Sequence, residues 1–421
     1  MSKIKNISAR EILDSRGNPT IEAKVELANG LVAKARVPAG ASTGRYEAYE
    51  LRDNDKKRYR GLGVLKAIKN IEAKILPKLK GQSAVSQEKI DELMIKLDGS
   101  DDKKNLGANA ILAVSLAVSR AGALVKGLEL FAYLGELYGF NGRIDKMPVP
   151  CFNIFNGGKH ADTNLDFQEF MVIPVRPGIK FSEMVRMGAE IFHELGRTLR
   201  QAGYDTDVGS EGGYAPDIIS SIQAIELIIA SIIRADYRPG EDIKLGIDVG
   251  ASELYKGQDK KYIFRLDKAS FTNSSLIGLY YEWFRKYPIL YLEDGLAEDD
   301  WEGWRELTRE LGEEIMLVGD DLFATNINRL RRGLKEKAAN SIIIKLNQAG
   351  TLTETINCLK LARKHNYKIV ISHRSGETAD DFIADLAVAT RADYIKAGSL
   401  SRSERLVKYN RLMEIEKIIN L

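Results

Sequence analysis

The sequence predicts an α/β protein in two parts. An N-terminal α+β capping domain covers residues 1–138, and an eight-stranded TIM-like barrel of order ββαα(βα)6 covers residues 139–421. Three observations predict it. Six short apolar runs in the C-terminal half each end on a polar residue, and helix-patterned sequence follows each one. The runs end at Asp248, Glu293, Asp320, Lys345, His373 and Lys396. The last five ends lie roughly 23 to 28 residues apart, the length of one βα unit in a barrel. Second, the apolar runs 149–155 and 168–175 are separated by only about a dozen residues with no helical period, too little for a parallel crossover. The second barrel strand is therefore expected to be antiparallel to the first. Third, residues 3–37 alternate apolar and polar positions, the mark of a half-buried sheet outside the barrel.

Along the chain, residues 3–37 read as three strands. In Thr20–Leu27, Ile21, Ala23, Val25 and Leu27 alternate with Glu22, Lys24 and Glu26, so one face is buried and the other wet. Asn29-Gly30 predicts a type I′ hairpin turn, and Leu31, Ala33, Ala35 and Val37 continue the alternation. Three helices are expected at about 64–79, 86–97 and 106–126, with a linker at Tyr138–Pro148 rich in Gly, Asn and charge. Helical segments at 180–202 and 217–235 precede the six βα units. The final segment, Ser403–Leu421, predicts an amphipathic helix with Leu406 and Met413 on its apolar stripe, closing the barrel wall. A doubly wound open sheet is the competing architecture. Its ligands use only the strands at a switch point, whereas here six successive strands end on chemistry.

Composition bounds the function. A length of 421 residues exceeds the usual single-core limit and asks for two domains. A net charge of +3 argues against a nucleic-acid protein working through a large basic face. Leu106–Leu128 is apolar but is interrupted by Asn109, Ser115, Ser119, Arg120 and Lys126, and suits a packed helix better than a membrane span. MSKIKNISAR lacks an apolar signal core, so a soluble cytoplasmic protein with no membrane partner is expected. Cys151 and Cys358 have neither disulfide-framework nor zinc-ligand spacing and read as buried thiols. Trp301 and Trp304 read as packing, and His193 and His365 as helix residues without an evident partner.

A barrel brings all its strand ends to one mouth, which gathers the chemistry. Asp248, Glu293 and Asp320 are hard oxygen ligands on three successive strands and suit Mg²⁺. Lys345 closes the apolar strand Ile342–Ile344 beside that site. With a divalent cation and Lys396 nearby, its pKa is expected to fall toward the range of a general base. His373-Arg374-Ser375-Gly376-Glu377 follows a strand and is expected to open a helix. An arginine fork, a hydroxyl and helix-start N–H groups would then cradle an anion, with phosphate the expected guest. Gly209–Gly213 presents Glu211 on a glycine loop. Asn156–His160 and Gly40–Gly44 are similar loops of the kind a closing lid uses.

With these residues assembled, the chain resembles the enolase (phosphopyruvate hydratase) family nearly end to end. The resemblance rests on the text Ala9–Thr20, Gly40–Gly44, Leu106–Ala117, Asn156–Ala161, Gln168–Met171, Glu211–Pro216, Ala297–Trp301, Gly319–Leu322, Lys345–Gln348, Ser372–Thr378 and Arg402–Leu406. It implies a carbon–oxygen lyase that dehydrates 2-phosphoglycerate reversibly to phosphoenolpyruvate, with two Mg²⁺ per site and a homodimer or larger homo-oligomer. By matching text, Lys345 is the base at C2 and Glu211 the acid that assists departure of the C3 hydroxyl. Asp248, Glu293 and Asp320 hold the tighter Mg²⁺, and Ser42 lies near the second. Arg374 and Ser375 contact phosphate, Lys396 the carboxylate, and His160, Gln168, Glu169 and His373 form the surrounding shell. The pairing of a lysine base with Mg²⁺ comes from the resemblance. A Glu169–Glu211 pair holding one proton at neutral pH is expected, since adjacent carboxylates resist double ionisation. Ser210, Gly295, Arg45-Tyr46 and Gly398-Ser399-Leu400 depart from common family text. Two other readings are weighed. A relative acting on another carboxylate generally lacks the phosphate cradle and the Gly40–Gly44 text, and a non-catalytic scaffold is expected to lack at least one of Lys345, Glu211 or the triad.

Overall fold

The computed structural model describes residues 2–40 and 44–420. Strands β1 (Ile4–Leu13), β2 (Pro19–Leu27) and β3 (Val32–Arg36) pair antiparallel in chain order. Ile21, Ala23, Val25 and Leu27 are fully buried, as their alternation predicts. The other face is less wet than expected, because Glu22 is only 3% exposed. Arg10 and Arg36 each hold one of its oxygens at 2.8 Å. Burial pushes its pKa up, but the two arginines outweigh that and bring it down to about 2. The hairpin turn also differs from the expectation. Only Gly30 has positive φ, at +87°, and Asn29 does not. Gly30 N–H donates to Leu27 O at 3.0 Å, and Leu27 N–H to Leu31 O at 2.9 Å. This is a three-residue loop, a type I turn followed by a left-handed glycine. Asn29 Oδ1 accepts from Leu31 N–H at 3.2 Å, a local bond that leaves the left-handed position to Gly30.

The predicted helices form. The first runs as α1 (Leu65–Asn70), a π-helical turn (Ile71–Ile75) and α2 (Leu76–Leu79). Pro77 explains the π turn, since it lacks an N–H and would crowd the carbonyl four residues back. Helices α3 (Gln87–Asp98) and α4 (Ala108–Lys126) follow. Helix α4 is long and apolar enough to cross a membrane, but 83% of that stretch is buried inside the protein, so it is a core helix. Helix α5 (Leu130–Tyr138) was not expected, because nine residues show too little of a helical period.

The barrel closes on itself. Strands β4 (Val149–Pro150) and β5 (Phe152–Asn156) are one strand broken at Cys151, whose N–H still donates to Ile395 O at 2.8 Å. The wall continues with β6 (Glu169–Pro174), α6 (Phe181–Gln201), α7 (Ser221–Arg234) and β7 (Ile243–Asp248). Strand β6 runs antiparallel to both β5 and β7, as the short loop predicts. After β7 the chain makes an excursion that the sequence did not reveal. A short α8 (Ala251–Leu254) leads into the antiparallel strands β8 (Tyr255–Lys256), β9 (Lys261–Phe264) and β10 (Ala269–Phe271), before α9 (Asn273–Lys286). Strands of two to four residues are too short to alternate visibly. The regular units follow: β11 (Ile289–Glu293), α10 (Trp301–Leu311), β12 (Met316–Gly319), α11 (Ile327–Glu336), β13 (Ser341–Ile344), α12 (Leu346–Ala349), α13 (Leu352–Lys364), β14 (Lys368–Ser372), α14 (Phe382–Ala389) and β15 (Tyr394–Lys396). Strand β15 pairs with β4 and completes eight strands.

Helix α15 (Ser403–Ile418) lies against the barrel, but its buried face is more polar than predicted. It carries Glu404, Arg405, Lys408, Tyr409, Leu412, Ile415 and Glu416, while Leu406 and Met413 are half-buried at its edge. The first domain sits over the barrel mouth. Ala39 and Gly376 exchange backbone bonds of 2.7 and 3.0 Å, and Ser15 N–H donates to Glu377 O. A Cβ on Gly376 would lie 2.5 Å from both Arg16 Nη2 and Asp14 Oδ2, so this close approach needs glycine. Both thiols are buried and free, and Trp304 is fully buried, as packing residues should be.

Candidate active site

Strand register delivers the acids to one level. Glu169, Asp248 and Glu293 are paired neighbours across β6, β7 and β11. Glu169 opens β6, and because that strand runs backwards its first residue reaches the same mouth where the others end. Ser372 and Lys396 pair across β14 and β15, and Lys345 follows the last residue of β13. His160, Gln168, Glu169, Glu211, Asp248, Asp320, Lys345, His373, Arg374, Ser375 and Lys396 line one cavity there. Glu293 lies just below it, fully buried. Ser42 lies outside the described residues.

Two lysines organise one side. Lys396 Nζ is 2.8 Å from Asp248 Oδ2, 2.9 Å from both Glu293 oxygens and 3.2 Å from Glu169 Oε1. Burial pushes the ammonium's pKa down, but these carboxylates outweigh it and hold it well above its ordinary value. Tyr291 Oη donates to Glu293 at 2.5 Å. Lys345 pairs directly with Asp320, whose other oxygen accepts from Gln348 Nε2 at 3.0 Å. The expected fall in the Lys345 pKa is not what this arrangement gives. Burial lowers it and Arg374 and Lys396 oppose the charge, yet the adjoining Asp320 carboxylate raises the pKa above its ordinary value. The basicity of Lys345 therefore depends on what Asp320 is doing.

Glu211 is held differently. Ser375 Oγ donates to its Oε1 at 2.9 Å and Asn153 Nδ2 to its Oε2 at 3.2 Å, with His373 Nε2 at 3.4 Å. His160 Nδ1 stands between Glu169 (3.2 Å) and Glu211 (3.6 Å). Burial pushes the Glu211 pKa up, but His160, His373 and Arg405 outweigh it and bring it well below its ordinary value. Glu169 moves the other way, raised to about 7 by burial and then by the Glu211 charge. The two carboxyl groups are thus pushed apart, and a proton shared by this pair is favoured on Glu169 over Glu211. The glycine loop is tied down by Ser210, whose Oγ donates to His160 O at 3.0 Å.

Arg374 presents its fork to Glu47 at 2.8 and 3.1 Å and donates to Asn347 Oδ1 at 2.7 Å. The segment after His373 does not open a helix, contrary to expectation. The Glu377 carboxylate accepts from Arg374 N–H at 3.2 Å and Asp380 from Phe382 N–H at 3.0 Å, side-chain turns that occupy this stretch, and α14 starts only at Phe382. The expected helix-start N–H groups are therefore absent from this segment, which leaves its side chains alone to meet an anion. Tyr46, a departure from family text, donates to Asp299 at 2.9 Å beneath the Arg329 guanidinium, 3.7 Å above its ring.

Sequence reasoning assigned no role to Glu47, Asn153, Asn347, Gln348, Asp294, Asp321 or Arg405. Asp321, Asn347, Gln348 and Arg405 lie inside the stretches that resemble the family, which was the available signal. Asn153 is one residue of an apolar strand and gives none. Among the described residues, Asp294, Asp320 and Asp321 bring ligand atoms within 4.8 Å of one another, as do His160, Glu169 and Glu211. The donor chemistry fits Mg²⁺: Asp248 and Glu293 already converge on one cation, and Asp320 on another, all through oxygen.

Two family models match the chain. The N-terminal domain of enolase matches residues 4–134, and the C-terminal TIM barrel domain of enolase matches residues 145–420.

Proposed function

The chain belongs to the enolase family, and from that premise we propose that it catalyses the reversible dehydration of 2-phosphoglycerate to phosphoenolpyruvate, a step of glycolysis and gluconeogenesis. One observation carries the reading. Lys345, Glu211, Asp248, Asp320 and Arg374 line a single cavity, so a base, an acid, hard oxygen donors and an anion fork can all reach one small substrate. In this reading residues 1–138 cap the catalytic barrel of 139–421. The protein acts in the cytoplasm as a homodimer or larger homo-oligomer, without nucleic-acid or membrane partners.

The chemistry accounts for the inventory. The C2 proton is weakly acidic, because its loss adds charge beside a carboxylate already anionic. Asp248, Glu293 and Asp320, with Ser42, are the residues that would hold Mg²⁺, which supplies positive charge at that carboxylate when bound. Lys396 adds a fixed ammonium for the same purpose. Lys345 takes the C2 proton on Nζ, which requires a neutral amine and hence release of its hold on Asp320. Glu211 delivers a proton to the departing C3 hydroxyl, and Glu169 is where the pair stores it. Arg374 and Ser375 hold the phosphate, while Gln168, His160 and His373 shape the remaining wall.

The direct test follows phosphoenolpyruvate absorbance from 2-phosphoglycerate with and without Mg²⁺. Turnover is expected only with the metal. No product at saturating substrate and Mg²⁺ would remove this reaction.

A further inference from the structure

Helix α15 carries a charge that none of these roles uses. Arg405 is fully buried. Its Nη1 lies 2.6 Å from His373 Nδ1 and donates to Arg374 O, also at 2.6 Å. Its Nη2 donates to Ser375 O at 2.6 Å, Ser210 O at 3.0 Å and Ser15 Oγ at 3.4 Å. One guanidinium thus ties the residue before Glu211 to the His373–Ser375 segment. Gly398 makes room for it, since a Cβ there would lie 2.6 Å from Arg405 Cδ.

The contact with His373 has a chemical consequence that the carbonyl contacts do not. A guanidinium only donates and stays charged at any ordinary pH. The ring nitrogen it faces must therefore offer a lone pair. Nδ1 is unprotonated, and the single proton of the imidazole lies on Nε2, the nitrogen facing Glu211 Oε2 at 3.4 Å. We infer that Arg405 is a positioning residue that fixes His373 as the neutral Nε2–H tautomer, so that His373 donates to Glu211 and does not take its proton. The mechanistic part of this inference rests on the reaction proposed above; the tautomer does not. Among the described residues, the charged groups that act most strongly on His373 are Glu211, Arg405 and Lys396. Burial and then the two cations outweigh Glu211 and bring the imidazole down to about 3, consistent with a neutral ring. With Ser375, Asn153 and His373 all donating, three neutral donors orient the Glu211 carboxylate, and none of them draws the proton away from the Glu169–Glu211 pair.

The chain has four histidines, so histidine-selective ¹⁵N labelling resolves the rings individually, with His373→Asn identifying the signal. In the wild-type protein at neutral pH, His373 should show an unprotonated Nδ1 and a protonated Nε2. The reverse tautomer, a mixture or a doubly protonated ring would overturn the assignment, whether or not the enzyme dehydrates 2-phosphoglycerate. Arg405→Lys keeps the charge but loses the fork, and should release the tautomer preference and lower kcat by about tenfold or more, as for groups that orient an active-site ligand from behind. Wild-type kcat with an unchanged His373 spectrum in that variant would reduce Arg405 to packing. Should Arg405→Lys fail to fold, the wild-type spectrum alone decides.

Discussion

The two sides of the barrel mouth hold their carboxylates by opposite means. Asp248, Glu293 and Asp320 are held by ammonium groups, with Lys396 within 2.9 Å of the first two and Lys345 on the third. Glu211 is held by a serine, an asparagine and a histidine, with Arg405 behind them. An ion pair between flexible side chains can exchange one cation for another. A carboxylate in a cage of directional hydrogen bonds is fixed in orientation instead. The lysine side is thus built to exchange charge, and the Glu211 side to keep a geometry.

The largest effect should separate these sides by the order of their proton transfers. In deuterated buffer, Lys345→Ala should neither turn over nor exchange the C2 proton of 2-phosphoglycerate. Glu211→Gln should lose roughly 10²–10⁴-fold in turnover, the usual contribution of one general acid. Its C2 exchange should survive, provided the lysine proton swaps with solvent before it returns. Exchange lost in Glu211→Gln but kept in Lys345→Ala would invert the two roles.

A second change tests whether the lysine side exchanges cations. Asp320→Ala should abolish turnover and weaken the thermal stabilisation given by Mg²⁺. That stabilisation is about 2.7 kcal/mol for a one-site ligand at a hundred times its Kd. An unshifted melting response to Mg²⁺ would mean that Asp320 does not hold the metal.

Much of this contrast was legible in the sequence, and its limits have physical causes. Residues that end strands are visible because an apolar run stops on them, so Asp248, Glu293, Asp320, Lys345, His373 and Lys396 were found. The antiparallel start followed from a loop too short for a crossover. The state of Lys345 was not legible, because it depends on Asp320 across the cavity rather than on its own strand. Nor was the cage of Glu211, since Asn153 and Arg405 come from elements 58 residues before and far after it in the chain. The β8–β10 excursion and the late start of α14 were hidden for a different reason: short strands and side-chain turns have no period.

A smaller effect addresses where the shared proton sits. Glu169 is raised from 4.5 to about 7, so the folded state keeps a proton that the unfolded chain releases between those values. Its contribution to stability is complete below pH 4.5 and is lost as pH rises through about 7. Glu169→Gln mimics the protonated form and should remove a slope of at most ~1.4 kcal/mol per pH unit. Urea midpoints measured from about pH 5 to about pH 8 in both proteins give the difference. Parallel curves would place the proton on another group.

The smallest change tests the anion fork at the edge between the two sides. Arg374 is nearly buried, and its planar guanidinium meets both oxygens of Glu47 while also donating to Asn347. Arg374→Lys preserves the positive charge but replaces the planar fork by a single ammonium. Long-range attraction for an anionic substrate should therefore persist, while two-point recognition of phosphate oxygens is lost. KM for 2-phosphoglycerate is expected to rise several-fold, about 1 kcal/mol of binding, with kcat changed far less. That split matters, because damage to the neighbouring Lys345–Asp320 or Glu211 geometry would lower kcat instead. A variant with wild-type KM and kcat would show that Arg374 serves Glu47 and the fold, leaving the phosphate to other residues.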